Sequence, residues 1–259
     1  MIGSGTIPMV ATKRDRFERR TGITPQDYDV LARVPLFQGL HIEAMQSLLA
    51  DAWVQSFARN TVLFLQEEPA SRFYVVFDGW VKLFRETEEG GESVIAVFTH
   101  GESFAEAAIF DEGIFPVSAA VVTDSRLLVI PAASFLKQFR ENSDYALNIM
   151  AAMSRHLRRL VQQVEQLAVK SSAERVAGFL ARLAPEESGP VVVRLPLDKA
   201  LIAGRLGMQP ETFSRSLAKL RELGVETRGD QVAIADTARL QKFSRGIRGS
   251  GCGGLVRAG

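Results

Sequence analysis

Residues 207–220 read Gly207-Met208-Gln209-Pro210-Glu211-Thr212-Phe213-Ser214-Arg215-Ser216-Leu217-Ala218-Lys219-Leu220. Phe213, Leu217 and Leu220 fall on one side of a helix of period 3.6, and Glu211, Ser214, Arg215 and Lys219 fall on the other. Pro210 stands at the first helical turn, where its missing N–H costs nothing. Upstream, Asp198 to Leu206 forms a shorter helical pattern, with the small Ala203 where a second helix can cross closely. Gly207 suits the tight turn between the two. Two short helices joined this way fit a helix-turn-helix. Val225 to Ile234 then reads as a hairpin turning at Gly229-Asp230, which makes the module winged.

Working outward, Ser172 to Leu183 is helical and Val191–Leu195 is a strand. Before them Met150, Met153, Leu157, Leu160, Val164 and Leu167 recur at spacings of 3 and 4. That is a narrow heptad seam, the pattern of a helix that pairs with a second copy. Ser143 is the expected N-cap of this helix.

Between Trp53 and Pro131 the period changes to short β-rich runs: Thr61–Leu65, Arg72–Phe77, Trp80–Arg85, Ser93–Phe98, Ser118–Val122 and Ser125–Ile130. Asp78-Gly79 and Glu89-Gly90-Gly91 separate them like hairpin turns. Many short strands at this spacing predict a jelly roll. Glu106 to Phe110 interrupts them as a short helix. Leu31 to Asp51 carries helical spacing at Leu36, Leu40, Met45, Leu48 and Leu49.

The expected fold is therefore α+β. An N-terminal arm (1–30), with a short helix near Arg14 to Arg20, precedes a jelly-roll (double-stranded β-helix) domain (31–142). A dimerisation helix (143–169), a winged helix-turn-helix (170–245) and a Gly-rich tail (246–259) follow.

The 259 residues carry 31 Lys+Arg against 30 Asp+Glu. The balance conceals a segregation. Residues 61–115 hold 11 acids and 3 bases, and residues 190–259 hold 12 bases and 6 acids. A basic end attached to an acidic middle suits a polyanionic partner for the end alone. No run of eighteen apolar residues is present, so no membrane span and no membrane partner are expected, and no secretion signal is read at the start. A cytoplasmic protein is the default expectation.

Enzyme chemistry is poorly provided for. Three histidines, His41, His100 and His156, are spread over different elements, whereas a cupin-type metal enzyme needs several converging on one site. No Gly-rich phosphate loop stands out. Cys252 is the single cysteine, so a metal site of the Cys-rich type and a cysteine-held iron–sulfur cluster are both excluded. The expectation is no catalytic residue and no resident metal.

The order of jelly roll, long helix and winged helix-turn-helix, with Glu211-Thr212-Phe213-Ser214-Arg215 and Gly101-Glu102-Ser103-Phe104-Ala105-Glu106, resembles the CRP/FNR superfamily of bacterial transcription regulators. The resemblance spans about Val34 to Phe243. Residues 209–215 look most like its nitric-oxide-responsive, denitrification-controlling subgroup. It implies a homodimer on a palindromic operator of double-stranded DNA, with half-sites like TTGAT and ATCAA separated by four base pairs. It also implies contact with RNA polymerase and a small effector in the jelly roll. Glu211, Ser214 and Arg215 would read base edges, while Thr212, Lys219 and the wing would hold phosphates, with Gln209 alongside.

In cyclic-nucleotide members an acid grips the ribose and an Arg-Ser or Arg-Thr pair holds the phosphate. Here Glu106 fills the acidic position, but Pro116-Val117 replace the pair, so cyclic AMP is disfavoured. The effector pocket is expected at Phe104, Glu106, Pro116 and Val117. Haem is the remaining gas-sensing cofactor, with His100 and His156 as candidate axial ligands. Two other functions stay open: a cyclic-nucleotide-responsive regulator, and a cyclic-nucleotide-type module that controls a protein partner.

The seam makes a prediction. Leu157→Lys should yield monomers with weak operator binding. Light scattering that returns an unchanged dimer mass would refute the paired helix.

Overall fold

The computed structural model describes residues 12–246, apart from 88–89, 112, 143–144, 146, 148, 152, 156, 159–169 and 185–188. The chain divides into two compact units, Met1–Val161 and Gln162–Gly259.

The first unit is organised by two long strands, β3 (Arg72–Glu86) and β6 (Ser118–Pro131). They pair antiparallel from Arg72↔Pro131 to Phe84↔Ser118. β1 (Trp53–Phe57) and β2 (Val62–Phe64) pair with β6, and β4 (Glu92–Thr99) and β5 (Ser103–Phe104) pair with β3. The jelly-roll expectation therefore holds in kind, with two differences. Arg72–Phe77 and Trp80–Arg85 are one strand, and so are Ser118–Val122 and Ser125–Ile130. Strand β1 went unrecognised because its residues are exposed or half-buried and do not alternate cleanly.

Asp78-Gly79 is not a hairpin turn. It is an irregularity inside β3, where the register slips on both sides of Asp78. Gly79 has φ +91°, and a Cβ there would lie 2.6 Å from the Asp124 carbonyl oxygen. Only glycine lets the two strands approach this closely. Ser125, almost fully buried, stitches the kink. Its Oγ accepts from Trp80 N–H at 3.1 Å and donates to the Thr123 carbonyl at 2.7 Å. The second expected turn, at Gly90-Gly91, does join β3 to β4.

The N-terminal residues from Thr12 onward are not a free arm. Helix α1 (Lys13–Thr21) starts at a capping box made by Thr12 and Asp15 and ends at Gly22 in the left-handed region. Helix α2 (Pro25–Leu31) starts with a second box, Thr24 and Asp27. Each box satisfies N–H groups that a helix start leaves open. Phe17, Ile23, Tyr28 and Leu31 are buried in the main core. The sequence places polar and charged residues between these anchors, and that masks the apolar set. Correspondingly, Leu31 to Asp51 is not one helix. Residues 32–39 are largely turns, and α3 spans Ile42–Leu48.

Arg126 on β6 clamps α2 to the sheet. Its Nη1 and Nη2 donate to Asp27 Oδ1 and Oδ2, each at 2.7 Å, and Nη2 also reaches the Gly22 carbonyl at 3.3 Å. The guanidinium lies over the Phe77 ring, 4.9 Å from its centre. Bidentate geometry of this kind is among the stronger polar contacts.

After α4 (Glu106–Phe110) and β6, α5 (Ala132–Glu141) closes the sensor unit. The described residues between 145 and 158 are helical. Ile149 faces the core, while Met150, Met153 and Leu157 are 63%, 49% and 62% exposed. An unpartnered apolar stripe of this size is what the seam requires. Ser143, Leu160, Val164 and Leu167 lie outside the described residues.

The second unit holds α6 (Ser172–Leu183), β7 (Val191–Arg194), α7 (Lys199–Arg205), α8 (Pro210–Leu220), a 3-10 turn (Arg221–Leu223), β8 (Val225–Arg228), β9 (Gln231–Ile234) and α9 (Thr237–Ser244). The sheet order is β7-β9-β8. Helix α9, capped by Asp236, was not anticipated; it buries Thr237 and Leu240.

Burial pushes the Asp27 carboxyl up, but the bonds from Arg126 and Thr24 outweigh it, so its pKa lies below the ordinary carboxylate value. The clamp's contribution is thus present above the unfolded pKa and fades as pH falls through the folded one. Asp27→Asn should cost about 2 kcal/mol near neutrality, and the deficit should shrink under acid. Denaturant unfolding at both pH values checks this; a pH-independent deficit would contradict it.

Candidate DNA-reading helix and effector pocket

The helix-turn-helix is assembled by local bonds first. Asp198 caps α7 by accepting from Leu201 N–H at 2.9 Å. At its end, Gly207 N–H reaches the Gly204 carbonyl and Met208 N–H reaches the Ala203 carbonyl, both at 3.0 Å. Gly207 sits at φ +63°, where glycine is unstrained. Packing then fixes α8. Ile202 and Ala203 of α7 and Phe213, Leu217 and Leu220 of α8 are buried, and α6 packs against both α8 and α9.

That burial decides what α8 shows to solvent. Glu211, Ser214, Arg215 and Lys219 are exposed, as is Gln209 just before the helix, and Thr212 is half-buried. All six expected DNA-contacting residues therefore lie on or beside one helix. No ion pair joins Glu211 to Arg215 among the described residues. Arg215 Nη2 instead donates to Thr212 Oγ1 at 3.4 Å, a long bond that leaves the guanidinium head available. In the wing, Gly229 takes φ +64° at the turn, Asp230 is ion-paired with Arg194, and Arg228 is exposed.

The sensor unit contains a cavity of about 250 Å³. Phe104, Glu106, Pro116 and Val117 line it, as expected from the sequence, together with Phe64, Leu83, Phe98 and Phe115. The last four were missed. Their signal was the inward phase of the strands, which is legible only once the register is known. The rings form a connected wall. Phe64 stacks on Phe115 with centroids 3.7 Å apart, and Phe104 stacks on Tyr74 at 5.0 Å.

Ala105 enters α4 at φ +67°, a left-handed conformation costly for a residue with a Cβ. Strain of this kind gathers at ligand sites. Beside it, Ser103 Oγ donates to Glu106 Oε1 at 3.0 Å. Glu106 is thus the acid at the cavity edge, and among the described lining residues no Lys, Arg or His opposes it.

His100 is exposed and does not line the cavity. Its Nδ1 donates to the Phe77 carbonyl at 2.6 Å. His156 lies outside the described residues. The described lining includes no His, Cys, Met or Tyr, so the cavity as lined does not fit a haem ligated from its own wall. No group of three or more metal-ligating side chains occurs among the described residues, and no described helix is long and apolar enough to cross a membrane.

Comparison with known proteins bears on both units. A sequence model of the cyclic nucleotide-binding domain matches residues 54–142, and one of the Crp-like helix-turn-helix domain matches residues 174–243. The cyclic AMP receptor protein of Thermus thermophilus is 30% identical over 214 residues, covering 82% of this chain and 98% of the relative. The chain belongs to the CRP/FNR family of bacterial transcription regulators.

Two solved relatives agree. A crystal structure from Ruegeria pomeroyi, of a protein assigned provisionally as binding cyclic nucleotides, is 41% identical, with TM-score 0.73 over 83% of this chain and 96% of the other. DNR from Pseudomonas aeruginosa is 33% identical, with TM-score 0.53 over 85% and 99%. This CRP/FNR member is accordingly a DNA-binding transcription regulator with a cyclic-nucleotide-type sensor domain, and not an enzyme. Dimerisation belongs to the family as well.

Proposed function

We propose that the dimer reads an operator with TTGAT and ATCAA half-sites through α8, and that a small, mainly apolar ligand in the sensor cavity adjusts its affinity. The observation that carries the DNA half is the exposed row of Glu211, Ser214 and Arg215 on a helix whose other face is locked in the core. Arg215 can donate twice to the acceptor edge of guanine, and Glu211 can accept from a cytosine amino group. Thr212, Lys219 and the wing hold phosphates and set the register. Paired along the seam, two such helices enter successive major grooves about 34 Å apart. Activation of respiratory or nitrogen-oxide genes through RNA polymerase, in the cytoplasm, completes this reading.

Arg215→Ala should weaken operator binding by about 1–3 kcal/mol and relax selectivity at one base pair. A fluorescence anisotropy titration on operator duplexes checks this. A variant as tight and selective as the parent would remove α8 from base reading.

The effector half rests on the cavity chemistry. Its volume suits a small molecule, its wall is aromatic, and the one charged group among its described lining residues is Glu106. A cyclic phosphodiester placed there lacks a charge-assisted donor, since Pro116-Val117 stand at the position of the family's phosphate-binding pair. A ligand with an apolar body and a donor toward Glu106 is better matched. Cyclic AMP should therefore leave both the melting temperature and operator affinity unchanged. A dose-dependent rise in both would favour cyclic-nucleotide control instead. In the same preparation, a stoichiometric Soret band lost on changing His156 would favour haem.

A further inference from the structure

The sensor cavity holds a charge that nothing in its described wall answers. Among its described lining residues only Ser103 and Glu106 have polar side chains. Ser103 Oγ donates to Glu106 Oε1 at 3.0 Å. That bond fixes the carboxylate and leaves Oε2 without a hydrogen bond among the described residues. Glu106 is half-buried at the first position of α4. A ligand that fills the cavity strips further water from it. Beside a neutral ligand the desolvated carboxylate stays uncompensated, which is costly unless the ligand brings the opposite charge.

The wall favours the same sign. Phe64, Phe98, Phe104 and Phe115 contribute to it. A phenyl ring attracts a cation lying over its face within about 6 Å of its centre. The Phe104 centroid is 5.5 Å from that of Phe98 and 6.5 Å from that of Phe64. A cation seated against this wall is therefore within reach of more than one ring.

A third observation concerns the surroundings. All the described lining residues except Pro116 and Val117 come from residues 61–115, where acids outnumber bases by 11 to 3. One of those bases, Lys82, is already paired with Glu92. Such a segment draws cations toward the cavity and repels anions. The volume of about 250 Å³ lies below the usual range for drug-sized ligands, so the guest is small.

We infer that the sensor cavity takes a small organic ammonium ion, whose N–H donates to Glu106 and whose apolar body lies against the phenylalanines. The inference rests on the reading of this cavity as the site of a small, mainly apolar ligand, and it adds the sign of the charge.

The test titrates the full-length protein calorimetrically with three probes that share one apolar body: 2-phenylethylamine, 2-phenylethanol and 3-phenylpropionate. Butylamine is a fourth, smaller probe. Thermal unfolding checks that each variant is folded. The amine should bind about tenfold more tightly than the alcohol, as a charge-assisted bond exceeds a neutral one, and the carboxylate should not bind. In Glu106→Gln the amine should lose its advantage over the alcohol. Phe98→Leu, which keeps an apolar wall but removes a ring, should weaken the amine several-fold more than the alcohol.

An alcohol that binds as tightly as the amine overturns the inference and leaves the apolar-ligand reading standing. Amine binding that is unchanged in Glu106→Gln also overturns it, because the amine then sits elsewhere on the acidic surface. Failure of both amines to bind overturns it as well. If cyclic AMP binds in their place, the apolar-ligand reading falls with it.

Discussion

The antiparallel pairing of β3 with β6 supports everything else in the sensor unit. The other four strands of the sheet attach to one of these two. The pairing also creates the core, because Phe73, Val75, Val76 and Val81 on one strand and Ala119, Val121, Leu127 and Leu128 on the other are buried. Both strands are longer than usual and must bend to enclose that core. The bend is localised at Gly79 and Ser125, where the missing Cβ and a hydroxyl hydrogen-bonded to backbone let the register slip without orphaning polar groups. The Asp27–Arg126 clamp then ties two short capped helices over the sheet, so a segment that reads as an arm becomes part of the wall.

Each unit keeps a buried guanidinium nitrogen without a hydrogen-bond partner, Arg72 Nε in the sensor and Arg175 Nε in the DNA-binding unit. In the sensor, the principal buried charge is paired on the spot, as Asp27 is with Arg126. Among the described residues of the DNA-binding unit, Arg215 keeps one long local bond, and Arg175 keeps a buried nitrogen without a partner. Such groups lower the stability of the isolated domain.

The sensor cavity combines an aromatic wall with one acid, Glu106, among its described lining residues. The short helix α4, the acid at Glu106 and the aromatic surround fit a cyclic-nucleotide-type domain. Pro116-Val117 bring no charge to the recess, and Glu106 is the one carboxylate among its described lining residues. The strained backbone at Ala105 sits at the mouth of this recess, so a ligand pressing on it would act on the start of α4, and Phe110 at the end of α4 packs against Phe135 and Phe139 of α5. That route leads from the recess toward the helical segment beyond α5.

The sequence by itself determined the elements whose signal is periodic and local. The helix-turn-helix, the wing at Gly229-Asp230 and the short helix at Glu106 follow from spacing, turn residues and caps. Each depends on neighbours within a few positions. The six residues on and beside α8 were legible for the same reason, since one buried face defines the other. Tertiary structure alone decided the rest. It joined four expected strands into two; in β3 this is because a bend and a hairpin turn use the same Asp-Gly dipeptide and differ only in what lies across from it. It buried Phe17, Ile23 and Tyr28, whose partners are far away in the chain. It also brought Phe64, Phe98 and Phe115 around Glu106, because a cavity is a property of distant segments meeting and leaves no period in the sequence.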